Sequence, residues 1–194
     1  MTQADADLAR QWLTPPEHLA VAYAPAAMRP LWTGFLALDR RLADAAREGR
    51  DPIMVQLRLA WWRDRFDQPA AEWPAGEPLL ALLHAWDEDR AALRALVDGW
   101  EARNVGQDGG AELAAARLEA VAVLARRSGV EATDAVRQAA SEWLGHAPPR
   151  RPAPRLPRRL RPLAILRGLA LTEDAGASPA RQMLTALRLG LIGR

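Results

Sequence analysis

The sequence predicts an all-α protein, and three observations carry that prediction. Apolar residues recur at spacings of three and four through most of the 194 residues. Alanine, leucine and arginine dominate, β-branched residues are scarce, and there are only two phenylalanines and one tyrosine, so the summed propensity favours helix over sheet. Proline and glycine interrupt the pattern at helix-sized intervals. With 49% hydrophobic residues, the chain can bury a core of its own.

The elements follow in order. Thr14-Pro15-Pro16-Glu17 opens a short helix through Tyr23, and a long helix is predicted from about Ala26 to Arg47, with Pro25 and Pro30 complicating its first turn. Asp51-Pro52 starts the next helix, because a carboxylate at the N-cap accepts from free amides and proline at the first position lacks an amide that needs a partner. After a loop over Pro69–Pro78, PLLALLHAW and AALRALVDGWEA predict one broken helix or two successive ones ending near Asn104-Val105-Gly106. Gln107–Gly110 is a loop, followed by helices at about 111–127 and 133–145, the second capped by Thr133. APPRRPAPRLPRRLRP then packs six prolines and six arginines into 16 residues, a pattern that favours extended backbone. A last pair of helices is expected at about 160–172 and 179–191, the second opened by Ser178-Pro179. This organisation divides the chain into a helical domain over 1–146, a Pro/Arg-rich linker over 147–162 and a C-terminal helical pair over 163–194 packed on the domain.

Composition sets function classes aside. Without cysteine there are no disulfides, thiolate nucleophiles or cysteine-held metal sites in these residues. Every one of the 26 basic residues is arginine, and the formal net charge of +2 hides an uneven distribution: residues 1–100 hold 15 acids and 11 arginines, residues 101–194 hold 9 and 15. The opening MTQADADLAR is acidic and polar, unlike a secretory leader, and no apolar run approaches the roughly 18 residues of a membrane span. The expectation is a cytoplasmic protein with no transmembrane segment, peripheral to a membrane at most.

The helix opened at Asp51 holds LRLAWWRDRF. At about 100° per residue, Met54, Leu57, Trp61 and Arg65 fall on one side and Val55, Leu59, Trp62 and Phe66 on the adjacent side. Since a tryptophan buries on the order of 200 Å², this wide arc predicts a central helix packed on two flanks, with Arg58, Arg63, Asp64 and Asp67 at the margin. The tract resembles the signature of the squalene/phytoene synthase family. Upstream, HLAVAYAPAAMRPLWTGFLALDRRLADAA is similar to the family's opening helices, and LRALVDGWEA to a later acidic helix segment. PRRLRPLAILRGLA and LTALRLGLIGR are similar to C-terminal segments of a short, divergent bacterial branch. The resemblance covers most of residues 15–104 and is strongest to the non-catalytic branch that includes a mitochondrial complex I assembly factor.

That resemblance implies a shortened isoprenoid-synthase-like helical bundle of the squalene/phytoene synthase type. Catalytic members join two prenyl diphosphates using two aspartate-rich motifs on facing helices, since carboxylates four residues apart share a helix face and gather magnesium through oxygen. Both motifs are degraded in this chain. GFLALDRRLADAA offers Asp39 and Asp44, which a spacing of five turns about 140° apart, and Asp44 stands at ion-pair spacing from Arg40 and Arg41. Residues 111–145 contain no aspartate pair at four. His84 and Glu88 have a spacing that suits two metal ligands on one face, but no third ligand accompanies them. Neither a glycine-rich phosphate loop nor a nucleophile elbow is present.

The reading is therefore a family member with degraded aspartate motifs, non-catalytic, that binds an isoprenoid or other lipid or acts as an assembly or scaffolding factor. The alternative is an active prenyltransferase that condenses prenyl diphosphates in isoprenoid, carotenoid or hopanoid biosynthesis. No cofactor is called for, Mg²⁺ entering only under the alternative, and no catalytic or metal-ligating residue is assigned. Asp39, Arg58, Trp61, Trp62 and Asp98 are the candidate ligand-groove residues, with Trp32, Trp86 and Trp100 lining or filling it. Arg150, Arg151, Arg155, Arg158, Arg159 and Arg161 form a basic contact patch suited to a peripheral membrane or protein partner, or to acids of the first half. Nucleic acid is disfavoured, since no recognition helix or stacking platform accompanies the run.

Overall fold

Proline and acidic caps mark the helix starts. The computed structural model describes residues 11–106, 110–174, 176 and 178–191. Among them are nine α-helices and no strand: α1 (Pro15–Ala22), α2 (Arg29–Ala45), α3 (Pro52–Phe66), α4 (Pro78–Leu83), α5 (Arg90–Val105), α6 (Ala111–Arg127), α7 (Asp134–Trp143), α8 (Arg161–Asp174) and α9 (Pro179–Leu191). The all-α prediction holds. No helix among the described residues is long and apolar enough to cross a membrane.

At the start of α1, Glu17 Oε2 accepts from the Thr14 amide at 2.7 Å and the Thr14 hydroxyl at 2.8 Å, which satisfies a donor that helix geometry leaves open. Asp51 caps α3 as expected, its Oδ1 accepting from the amides of Ile53 at 2.8 Å and Met54 at 3.1 Å. The long helix expected from Ala26 begins instead with a 3₁₀ turn, Ala26–Met28, because Pro25 holds the preceding backbone extended. Thr133 occupies the N-cap of α7 but its hydroxyl bonds no amide, a correction to its expected capping role; Asp134 in the first turn supplies the favourable negative charge.

The chain forms two compact units, Met1–Leu13 with Pro30–Ala120 and Thr14–Arg29 with Val121–Arg194. By contacts the boundary falls inside α6, not at residues 147–162. The core of the first unit includes the fully buried Trp32, Phe35, Leu59, Leu83 and Trp86, and Trp86 Nε1 donates to the Leu31 carbonyl at 3.0 Å. In it α3 packs on α5 through Val55, Leu59, Trp62 and Phe66. In the second unit, α8 is the central helix, packed by α1, α7 and α9 around Leu163, Ile165 and Leu166. Within that unit Leu160 is fully buried and Arg159 Nη1 donates to the Ser128 carbonyl at 3.0 Å, so the end of the Pro/Arg run packs as part of the unit.

Where α5 meets α6 the backbones are in contact. A Cβ on Gly99 would lie 2.6 Å from Leu113 Cα and 2.9 Å from its nitrogen, and neither atom can rotate away. Gly99→Ala is therefore expected to destabilise the protein by about 1–3 kcal/mol despite alanine's better helix propensity; urea unfolding followed by circular dichroism measures it.

Candidate ligand cleft

Helices α2 and α3 are joined by the turn Glu48-Gly49-Arg50-Asp51, which Gly49 permits by adopting φ +81°. Arg41, Asp44 and Ala45 from α2, Arg50 from the turn, Arg58, Trp61 and Trp62 from α3, and Glu77 ahead of α4 surround a cleft of about 370 Å³. Its acids already have partners. Asp44 is ion-paired with Arg47 and stands 3.5 Å from Arg50, rather than pairing with Arg40 or Arg41 as the sequence spacing suggested. The turn brings Arg50 back towards α2, a contact no helical spacing anticipates. Glu77 accepts from the Leu79 amide at 3.3 Å as the N-cap of α4. Arg58, by contrast, is exposed and has no carboxylate or hydrogen-bond partner among the described residues. The Arg41 guanidinium lies over the Trp12 ring at 5.3 Å and makes no ion pair there either.

The two tryptophans diverge. Trp62 is 4% exposed and Trp61 38%. They meet edge to face at 4.9 Å and 84°, beginning an aromatic row in which Trp62 stacks on Phe66, Phe66 meets Trp73 and Trp73 meets His84. The expectation of a helix packed on two flanks is corrected here. Val55, Leu59, Trp62 and Phe66 are buried, whereas Ile53 is 70%, Met54 48% and Leu57 58% exposed, since α5 covers one side of α3 only. Ile53, Leu57 and Trp61 recur every fourth residue, so an apolar stripe runs along α3 to the cleft, with Arg58 at its edge.

Of the expected groove residues, Arg58, Trp61 and Trp62 line the cleft together, while Asp39 and Asp98 are engaged elsewhere. Asp39 accepts from Trp100 Nε1 at 2.8 Å and from Arg117 Nε and Nη2 at 3.1 and 2.9 Å. Asp98 accepts from Arg63 Nε at 2.8 Å, and Glu101 pairs with the same guanidinium. That guanidinium is held protonated above its ordinary range, by the Asp98 hydrogen bond first and by the Glu101 charge, against the opposing effect of burial. Trp32 and Trp86 fill the core instead of lining a groove, and Arg103 and Arg117 lie on the Trp100 ring at 5.8 and 5.2 Å.

The His84–Glu88 pair is also corrected. His84–Asp89 is 3₁₀, and at 120° per residue a separation of four turns the two side chains to different faces. Among the described residues no three His, Asp or Glu side chains form a group able to hold a metal ion. Of the basic patch, Arg150, Arg151, Arg155, Arg158 and Arg159 are exposed and Arg161 is partly so. Sequence reasoning missed Arg41 and Arg50, whose signal was the short Gly-containing turn that folds α3 back near α2. No family model, curated protein or solved structure matches this chain.

Proposed function

We propose that this chain is a shortened, non-catalytic relative of the squalene/phytoene synthases, with an isoprenoid-synthase-like bundle, that binds a prenyl diphosphate or a similarly anionic amphiphile. The anionic head sits among Arg41, Arg50 and Arg58, and the apolar chain lies on Trp61 and along Leu57, Met54 and Ile53. One observation carries this reading: the unpartnered Arg58 stands beside the half-exposed Trp61 in one cleft, at the end of an exposed apolar stripe. Guanidinium groups suit phosphate oxygens through charge-assisted, forked hydrogen bonds, and an indole face suits a polyprenyl chain. The non-catalytic part rests on Asp39 and Asp98, each bonded to arginine.

Calorimetric titration with farnesyl diphosphate tests the reading. Hydrogen bonds to charged groups are worth about 1.5–3 kcal/mol, so Arg58→Glu should weaken binding about tenfold or more. Farnesol and inorganic pyrophosphate alone should each bind more weakly than the joined molecule. Absence of binding, or an affinity that Arg58→Glu leaves unchanged, overturns the site. Pyrophosphate release with a coupled hydrocarbon product in the presence of Mg²⁺ overturns the non-catalytic part.

A further inference from the structure

Helix α9 is turned the wrong way for a helix that faces water. Two small residues let its inner side pack closely: Ala186 is fully buried, and a Cβ on Gly190 would lie 2.4 Å from the Tyr23 ring. Leu189 of α9 also points inward, its Cδ1 lying 2.2 Å from where a Cβ on Gly168 of α8 would stand. The other large apolar residues face outward, Met183, Leu184, Leu187 and Leu191 being 59%, 67%, 41% and 66% exposed. At about 100° per residue these four fall within an arc of roughly 100°, and Arg181 and Arg188 lie about 40–60° beyond Leu184, along one edge. The helix contains no acidic residue.

An exposed apolar stripe of this kind marks a surface that something covers, and charge says what. The unit that contains α9, residues 14–29 and 121–194, holds 14 arginines against 6 acids, a net of +8. Arg150, Arg151, Arg155 and Arg158 are exposed, and their side chains have no ion-pair partner among the described residues. The basic run also ends at α9, where Arg161 Nη2 donates to the Leu191 carbonyl at 2.5 Å. We infer that α9 is a membrane-docking helix that lies in the plane of an anionic lipid surface, its leucines in the acyl boundary and its arginines among the headgroups. Leucine and methionine on one face with arginine along the edge is the pattern such interfacial helices need, and long arginine side chains reach from the apolar boundary to the phosphates. A second copy of this chain suits the stripe poorly, because it would bring two +8 units together. Nucleic acid would take the arginines but leave four apolar side chains in water. This inference concerns residues separate from the α2–α3 cleft and does not rest on the reading given for it.

Co-sedimentation of the full chain with vesicles tests it, using phosphatidylcholine alone and phosphatidylcholine with about one-third phosphatidylglycerol. Binding is expected to the anionic vesicles and to fall as salt rises. Each arginine near an anionic surface contributes about fivefold, so Arg150→Gln, Arg151→Gln, Arg155→Gln and Arg158→Gln together should weaken binding by at least about a hundredfold. Leu184→Gln with Leu191→Gln, both at exposed positions, should keep the helical circular dichroism and lose about tenfold or more. Leu184→Gln with Leu191→Gln should bind farnesyl diphosphate as the unsubstituted chain does, which separates this result from that for the cleft. No binding to anionic vesicles at low salt overturns the inference, as does full binding by the leucine variant. A dimer that this variant abolishes, or capture of a duplex oligonucleotide, in either case without vesicle binding, overturns it too.

Discussion

Replacing Glu142 by alanine should destabilise the protein by about 3–5 kcal/mol, the usual cost of removing one partner from a buried ion pair. The Glu142 side chain is completely buried and pairs with Arg167, itself 13% exposed. Its other oxygen accepts from Gln138 Nε2 at 2.8 Å and from the Arg150 amide at 3.0 Å. Alanine leaves three donors unsatisfied, one of them a guanidinium with little water to turn to. Glu142→Leu combined with Arg167→Met should recover much of the loss, because the stranded charge is gone. Urea unfolding of the single and double variants measures both effects, and equal losses in the two would show that the ion pair is not the cause.

The same carboxyl makes stability fall in acid. Burial alone would push its pKa up, but hydrogen bonds from Gln138, the Arg150 amide and Arg167, together with the Arg167 charge, outweigh this and hold it below the ordinary value of 4.5. A group depressed in the folded state stabilises above its unfolded pKa, and that contribution disappears as the pH falls through the folded one. Midpoints of unfolding should therefore drop below about pH 4.5. Glu142→Gln should be less stable near neutrality, with a smaller drop in acid.

Asp39→Ala is the second large effect, about 2–4 kcal/mol. The range sits below that for a fully buried pair because Asp39 and Arg117 remain about one-fifth exposed. The carboxylate receives both guanidinium nitrogens of Arg117 and the Trp100 indole N–H, so a single residue joins α2, α5 and α6. Asp39→Asn should lose less, because an amide oxygen still accepts from Trp100. A double-mutant cycle with Arg117→Met isolates the pair; a coupling near zero would mean that packing around Trp100, not the charge, holds these helices.

These residues also show which part of the molecule was legible beforehand. Local chemistry was readable: Asp51 with Pro52, Glu17 three residues after Thr14 and the Pro/Gly punctuation mark the starts and stops of most helices, because caps act within four residues. Partners distant in sequence were not. Asp39 meets Arg117 78 positions away, and nothing in GFLALDRRLADAA announces it. Trp61 and Trp62 are equally apolar in the sequence, yet only one is covered, since burial depends on where α5 lies. His84 and Glu88 do not share the face that their spacing suggested, because the spacing rule assumes an α-helix and Pro78–Leu83 gives way to a 3₁₀ segment at His84. In the cleft, Arg58 was found through its tract, while Arg41 and Arg50 come in through a turn.

The order of segments has a consequence for how this protein is made. Helix α1 packs on α8, yet Ala22 and Arg161 are separated by nearly three-quarters of the chain. During synthesis at about 5–20 residues per second, α1 is made roughly 7–28 s before its partner begins. Over the same interval the contiguous stretch Pro30–Ala120 is already complete. The Pro30–Ala120 stretch can thus fold while the other unit still lacks its central helix, and Ala20 and Val21 wait for α8 to cover them. The apolar side of α1 therefore stays uncovered until residues 161–174 are made.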